Sequence, residues 1–186
     1  RSVSAVRGLR NFIATPKKLG KTKSLMKNEG TAIKAVVFDL GGVLEYDSRK
    51  QVDSHLARSF GISLAQLRTL LPPFTARLQR GEINEKQMWQ EFAIAVGKPV
   101  PDNWKTLLRE PHDKHFYILQ DTLEIVKRLK QRGYKLGLLS NTQEAHARNE
   151  HLQITFPYFD FIFLSHEQHA RKPEAKAYRT VLRTLG

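Results

Sequence analysis

The sequence has no cysteine. That excludes disulfides, thiolate metal sites and cysteine nucleophiles, and it fits a reducing compartment. No apolar run is long enough to span a membrane. Acids are scarce at the start, where residues 1–30 hold Glu29 alone against eight Lys and Arg. The whole chain carries 31 Lys and Arg against 18 Asp and Glu, a net charge of +13. More than half of that excess lies in the leader and says little about a folded domain. The length of 186 residues allows one domain with a real core, or a core plus a small insertion. No internal repeat is visible.

The leader also lacks the apolar density for a core. Val6, Leu9 and Ile13 line one face of a short amphipathic helix over Val3–Ile13. Arg-rich, acid-poor leaders of this kind look like organellar targeting segments, so mitochondrial or other organellar localisation is one expectation and a cytoplasmic one the alternative. A docking arm for RNA or an acidic partner, and an inert tail, are the other readings.

The first strong pattern is Val36-Val37-Phe38-Asp39-Leu40-Gly41-Gly42-Val43-Leu44. Unbroken apolar residues predict a buried strand over Ile33–Phe38. The glycines end it and allow a tight turn or a close approach to a ligand. Asp39 then stands at the carboxyl end of a strand, where open α/β sheets bind ligands. By itself it fits a turn cap equally well.

Residues 45–112 then read as helical throughout. Ser48 precedes a helix through Phe60, and Ser63 and Gln66 form a capping box for a second helix that Pro72-Pro73 ends. A short helix over Phe74–Arg80 stops at Gly81. Asn84 and Gln87 cap another, with Met88, Phe92 and Val96 on its buried face. Trp89 and Trp104 fit core packing. Asp102 caps a short helix through Arg109. From Asp121 the chain alternates between helix and strand. Asp121 and Glu124 predict a third capping box, Tyr134–Leu139 a second strand, and Phe161–Leu164 a third. Between these strands a polar helix extends to about Leu152, carrying His146 and His151 on an exposed face. Pro173 opens the last helix. The pairs His112/His115 and His166/His169 have helical zinc spacing but no third ligand, so no metal is expected there.

Three strand ends therefore carry polar groups: Asp39, then Ser140-Asn141, then Lys172 one loop further on. In a parallel sheet these ends meet on one edge. A carboxylate, a hydroxyl with an amide, and an ammonium around one point suit phosphoryl transfer. The carboxylate attacks phosphorus, Ser140 and nearby N–H groups hold phosphate oxygens, and Lys172 neutralises developing charge. A divalent metal, Mg²⁺ first, offsets the repulsion between carboxylate and phosphate.

Phe-Asp39-Leu-Gly41-Gly-Val-Leu, Leu-Ser140-Asn141-Thr142 and Arg-Lys172-Pro-Glu resemble, in order, the first three motifs of the haloacid dehalogenase superfamily of phosphohydrolases. Gly81-Glu82-Ile83 and Arg-Lys-Pro-Glu-Ala look most like its α-D-glucose-1-phosphate phosphatase branch. The resemblance covers about residues 33–186. It implies an α/β fold, a Rossmann-like parallel sheet formed by residues 31–44 and 113–186, with a helical cap over 45–112 and the basic extension 1–30 outside it. It further implies Asp39 as nucleophile and metal ligand, the Gly41 carbonyl as a second ligand, Ser140, Asn141 and Gly42 at the substrate phosphate, and Lys172 as the catalytic cation. The expected activity is hydrolysis of a small phosphorylated metabolite such as a sugar phosphate.

Two departures qualify that expectation. The family's phosphatases usually carry a second Asp two residues after the nucleophile, and here that position is Gly41. General acid/base help of the kind it gives is worth roughly 10²–10⁴-fold. Asp47 is a nearby substitute that the sequence does not locate. The fourth family motif, which supplies further metal carboxylates, has no counterpart before Gly186, and neither Asp160 nor Glu167 fits that role. Mg²⁺ binding is therefore expected to be weak or absent in these residues. Strand 33–38 becomes an open apolar edge. The expectation is that more chain or another polypeptide covers it. A non-catalytic assembly subunit docking through residues 1–30 is the alternative function.

Overall fold

The computed structural model describes residues 33–185. The basic leader and its expected helix over Val3–Ile13 lie outside the described residues. Three parallel strands form one sheet, in the order β1 (Ala35–Phe38), β2 (Lys135–Ser140), β3 (Phe161–Leu164). Val36 pairs with Leu136 and Ser140 with Leu164, so the carboxyl ends lie side by side.

β2 reads Lys-Leu-Gly-Leu-Leu-Ser with no polar alternation, because both of its faces are covered. Leu136 and Leu138 pack with Phe38, Val126 and Phe159 on one face. Leu139 packs with Phe163, Ala177 and Val181 on the other. These layers belong to α6 (Gln120–Gln131) and α10 (Ala175–Leu185) respectively. A methyl group on Gly137 would lie 3.3 Å from Leu185 Cδ1 and 3.4 Å from Val37 Cγ2, so glycine lets α10 approach the sheet closely. Among the described residues β1 pairs only with β2, and Val37 on that edge is 41% exposed.

Five helices follow β1: α1 (Arg49–Phe60), α2 (Leu64–Leu70), α3 (Pro72–Gln79), α4 (Glu85–Val96) and α5 (Arg109–His115). They enclose an aromatic core of Phe60, Trp89 and Phe92, with Phe60 and Phe92 edge-to-face at 5.0 Å. Ser63 and Asn84 both form their capping boxes. Pro72 stands at the first turn of α3, where its missing N–H costs nothing.

Several local expectations shift. The helix expected from Asp102 is a 3₁₀ turn, Trp104–Thr106, followed by α5. The capping box at Asp121 does not form, because the chain enters α6 two residues early. Leu119 donates its N–H to Leu44 O at 2.9 Å, and Leu119 becomes the cap. The polar helix splits into α7 (Glu144–Ala147) and α8 (Glu150–Gln153), since the Asn149 side chain accepts from Leu152 N and starts a new helix. α9 (Ser165–Gln168) follows β3, and α10 starts two residues beyond Pro173. No helix among the described residues is long and apolar enough to cross a membrane.

Candidate functional site

A cavity of about 500 Å³ opens at the carboxyl ends of the strands. Its floor includes Asp39, Ser140, Asn141 and Lys172, and α2–α3 supply another wall through Leu67, Leu71 and Leu78. The three expected strand ends do converge.

Asp39 follows β1 directly. Its Oδ1 lies 2.5 Å from Lys172 Nζ and accepts the Leu40 N–H at 2.7 Å. The Asp39 side chain remains 47% exposed, so water and ligands reach it. Ser140, the last residue of β2, is buried and lines the same cavity. Asn141 was expected at the phosphate. It lines the cavity, and its side chain engages the Lys172 backbone twice, with Oδ1 accepting from Lys172 N at 2.7 Å and Nδ2 donating to Lys172 O at 2.9 Å. That clamp fixes the loop that presents the ammonium. Ser165 reinforces it by exchanging hydrogen bonds with the Thr142 backbone at 2.9 and 3.0 Å.

Gly42 adopts φ 75°, the left-handed region where a side chain is strained. It was also expected at the phosphate, but its N–H donates to Glu45 O at 2.9 Å and closes the turn after β1. Asp47 lies on the cavity wall, gripped by Arg49. The Arg49 Nε is 2.9 Å and its Nη2 2.5 Å from the carboxylate oxygens, and this hydrogen bonding holds the carboxyl below its ordinary value. An anion held that way is a poor proton donor. Asp160, outside the cavity, accepts from Lys130 Nζ at 2.6 Å and Leu136 N at 2.8 Å, a structural role.

A second polar cluster was missed in the sequence. Glu45 is almost fully buried, and its Oε1 lies 3.0 Å from His146 Nε2. His112 Nε2 approaches Glu45 Oε2 at 3.9 Å, and the two imidazole centroids are 4.0 Å apart. His146 is thus turned inward from its short helix, contrary to the exposed position expected for it. His112 pairs with His146, not with His115. Burial pushes the Glu45 carboxyl up, but the two histidines outweigh it and hold the carboxyl below its ordinary value. Burial pushes His112 down, and the facing Glu45 carboxylate outweighs that and raises it. All three side chains border the cavity. The available signal was a carboxylate placed directly after the apolar pair Val43-Leu44.

Residues 33–186 match the family of haloacid dehalogenase-like hydrolases. Among solved structures, the chain resembles the HAD family enzyme BT-2542 from Bacteroides thetaiotaomicron in complex with magnesium and inorganic phosphate. The TM-score is 0.61 at 22% identity, over 81% of this chain and 78% of that one. It also resembles a predicted HAD-like family hydrolase from Porphyromonas gingivalis, with a TM-score of 0.62 at 20% identity over 81% and 75%. The L-2-haloacid dehalogenase from Xanthobacter autotrophicus, solved with chloropropionic acid covalently bound, gives 0.52 at 19% identity over 83% and 65%. No curated protein matches the chain. These structural likenesses are likenesses of fold. The sequence match spans the whole sheet and the helices between β1 and β2, and by it the chain belongs to the haloacid dehalogenase-like hydrolase family.

Proposed function

We propose that the protein is a Mg²⁺-dependent phosphatase of a small phosphorylated metabolite, a sugar phosphate by preference, working through an aspartyl-phosphate on Asp39. The observation that carries this reading is the 2.5 Å pairing of Asp39 with Lys172 on the cavity floor beside Ser140. An Asp39 oxygen attacks phosphorus, the bond from phosphorus to the leaving oxygen breaks, and solvent water protonates that oxygen. A second water then attacks phosphorus. The acyl-phosphate bond breaks, its electrons return to Asp39, and inorganic phosphate leaves. Lys172 neutralises charge on the transferring oxygens, and the Ser140 hydroxyl donates to one of them. Asn141 positions Lys172 through the backbone clamp.

The donor set suits the metal. The Asp39 carboxylate and the Gly41 carbonyl are hard oxygens, and Mg²⁺ takes one or two carboxylates while keeping several waters. When bound there, Mg²⁺ would polarise phosphoryl oxygens and relieve their repulsion from the nucleophile. Asp47 and Asp53 are engaged by Arg49 and Arg68 and do not add to the set. A structural neighbour solved with magnesium and inorganic phosphate supports the reading. The helices from α1 to α5 act as a cap whose wall sets substrate size and excludes water.

Hydrolysis of p-nitrophenyl phosphate and of a sugar-phosphate panel, with and without Mg²⁺, tests it. Asp39→Asn is expected to abolish turnover. Metal-dependent hydrolysis that survives Asp39→Asn would overturn the proposal.

A further inference from the structure

The geometry points to a second metal centre, in which Glu45, His112 and His146 bind a zinc-class divalent transition ion. Ligand atoms held about 2 Å from one tetrahedral ion lie roughly 3.3 Å from each other. The Glu45 oxygens stand 3.0 Å from His146 Nε2 and 3.9 Å from His112 Nε2, which brackets that spacing. One ligand atom from each of the three residues falls within 4.8 Å of the others.

The chemistry of the donors selects the ion. Two imidazoles and one carboxylate favour zinc and its neighbours over Mg²⁺, which takes oxygen. Three protein ligands leave a fourth position, and here the set borders the cavity, as in sites that bind water or a substrate oxygen. Each ligand is held from a different part of the chain. Glu45 is fixed in the turn after β1, where its N–H donates to Leu40 O at 3.1 Å and its C=O accepts from Gly42 N at 2.9 Å. His112 comes from α5 and His146 from α7.

One carboxylate also stands behind a candidate ligand. Both histidines aim Nε2 at Glu45, which leaves Nδ1 as the distal nitrogen. Asp113 Oδ1 lies 3.6 Å from His112 Nδ1 and accepts from Asn149 Nδ2 at 3.1 Å. A carboxylate behind a ligating imidazole orients the ring and raises its basicity.

The cluster also adjoins Gly41. A methyl group built on Gly41, the position where family phosphatases usually carry a second Asp, would lie 3.9 Å from Glu45 Oε1. The buried cluster therefore reaches towards the region left open beside Asp39. The assignment concerns binding and does not depend on the phosphatase reading.

Co²⁺ titration of the metal-stripped full chain, followed by visible absorption, tests it. We expect one Co²⁺ per chain with ligand-field bands, displaced by Zn²⁺ and unchanged by Mg²⁺. His112→Ala and His146→Ala should each weaken binding more than about tenfold, and Asp113→Asn by about tenfold. Glu45→Gln serves where a histidine variant fails to fold, and it should remove the bands while keeping the shape. Asp39→Asn should leave the titration unchanged, so loss of turnover and loss of this site are separate results. Absence of a stoichiometric Co²⁺ spectrum would overturn the assignment. So would a titration abolished by Asp39→Asn yet intact in both histidine variants.

Discussion

Asp39 meets Lys172 at the open end of the sheet, with 47% of its carboxylate side chain exposed. Six residues later Glu45 meets His146 with only 3% of its side chain exposed. Both carboxylates border one cavity, yet water treats them differently. An exposed ion pair is screened and contributes about 0–1 kcal/mol to folding. Little of the fold therefore depends on the pairing of Asp39 with Lys172. A buried carboxylate has lost its hydration and persists only where partners replace it. Glu45 is consequently tied to His112 and His146, and its burial makes the three groups one unit.

The largest expected stability effect separates the two. Glu45→Ala leaves two inward-facing imidazoles without their anion. Removing one partner of a buried pair costs about 3–5 kcal/mol, and the histidines' ability to become neutral reduces this to about 2–4 kcal/mol. Asp39→Asn should change stability by less than about 1 kcal/mol while removing turnover. Urea denaturation of the metal-free protein at neutral pH measures both. Equal losses from the two substitutions would break the contrast.

That contrast also explains what was legible in the sequence. Asp39, Ser140 and Lys172 could be found because Asp39 follows β1, Ser140 ends β2 and Lys172 comes after β3 and the short α9, and strand ends in a parallel sheet converge by topology. The period and composition of β1, β2 and β3 revealed those strands, and the capping boxes at Ser63 and Asn84 marked two helix starts. The Glu45 cluster depends instead on how α5 and α7 dock against the turn after β1, which no local pattern encodes. His146 looked exposed because its segment is polar, but in α7 its imidazole meets Glu45, a contact distant in sequence. Asp121 failed as a cap for a related reason. A backbone bond between Leu119 and Leu44 set the start of α6, a contact distant in sequence.

A smaller effect should distinguish the walls of the two clusters. Gly81, at φ 66°, ends the helical wall, and a methyl group there would meet His166 O at 2.5 Å. Nearby, Arg171 Nε donates to Gln79 Oε1 at 3.2 Å, next to Lys172. Gly81→Ala combines a left-handed backbone with a backbone clash and is expected to cost roughly 1–3 kcal/mol. The displacement falls on the Lys172 side. Hydrolysis should drop severalfold, with Co²⁺ binding at Glu45 retained. A matched loss of both would mean that the two clusters rest on one wall.

The smallest effect is expected at Asp160, a carboxylate outside the cavity. The hydrogen bonds from Lys130 and from the Leu136 N–H hold its carboxyl below the ordinary value. The Asp160 side chain is 41% exposed, so screening limits the contribution to about 1 kcal/mol. A carboxyl lowered by folding stabilises the fold fully above its unfolded value, near 3.8, and loses that contribution as pH falls through the folded value. The stability gap between the native chain and Asp160→Asn should therefore be constant from neutral pH to about pH 5 and shrink in stronger acid. Chemical denaturation across that range measures the gap. A gap that widened towards acid would contradict the pairing. Neither turnover nor Co²⁺ binding should follow this substitution, because Asp160 holds the amino end of β2 while both clusters lie at the opposite end of the sheet.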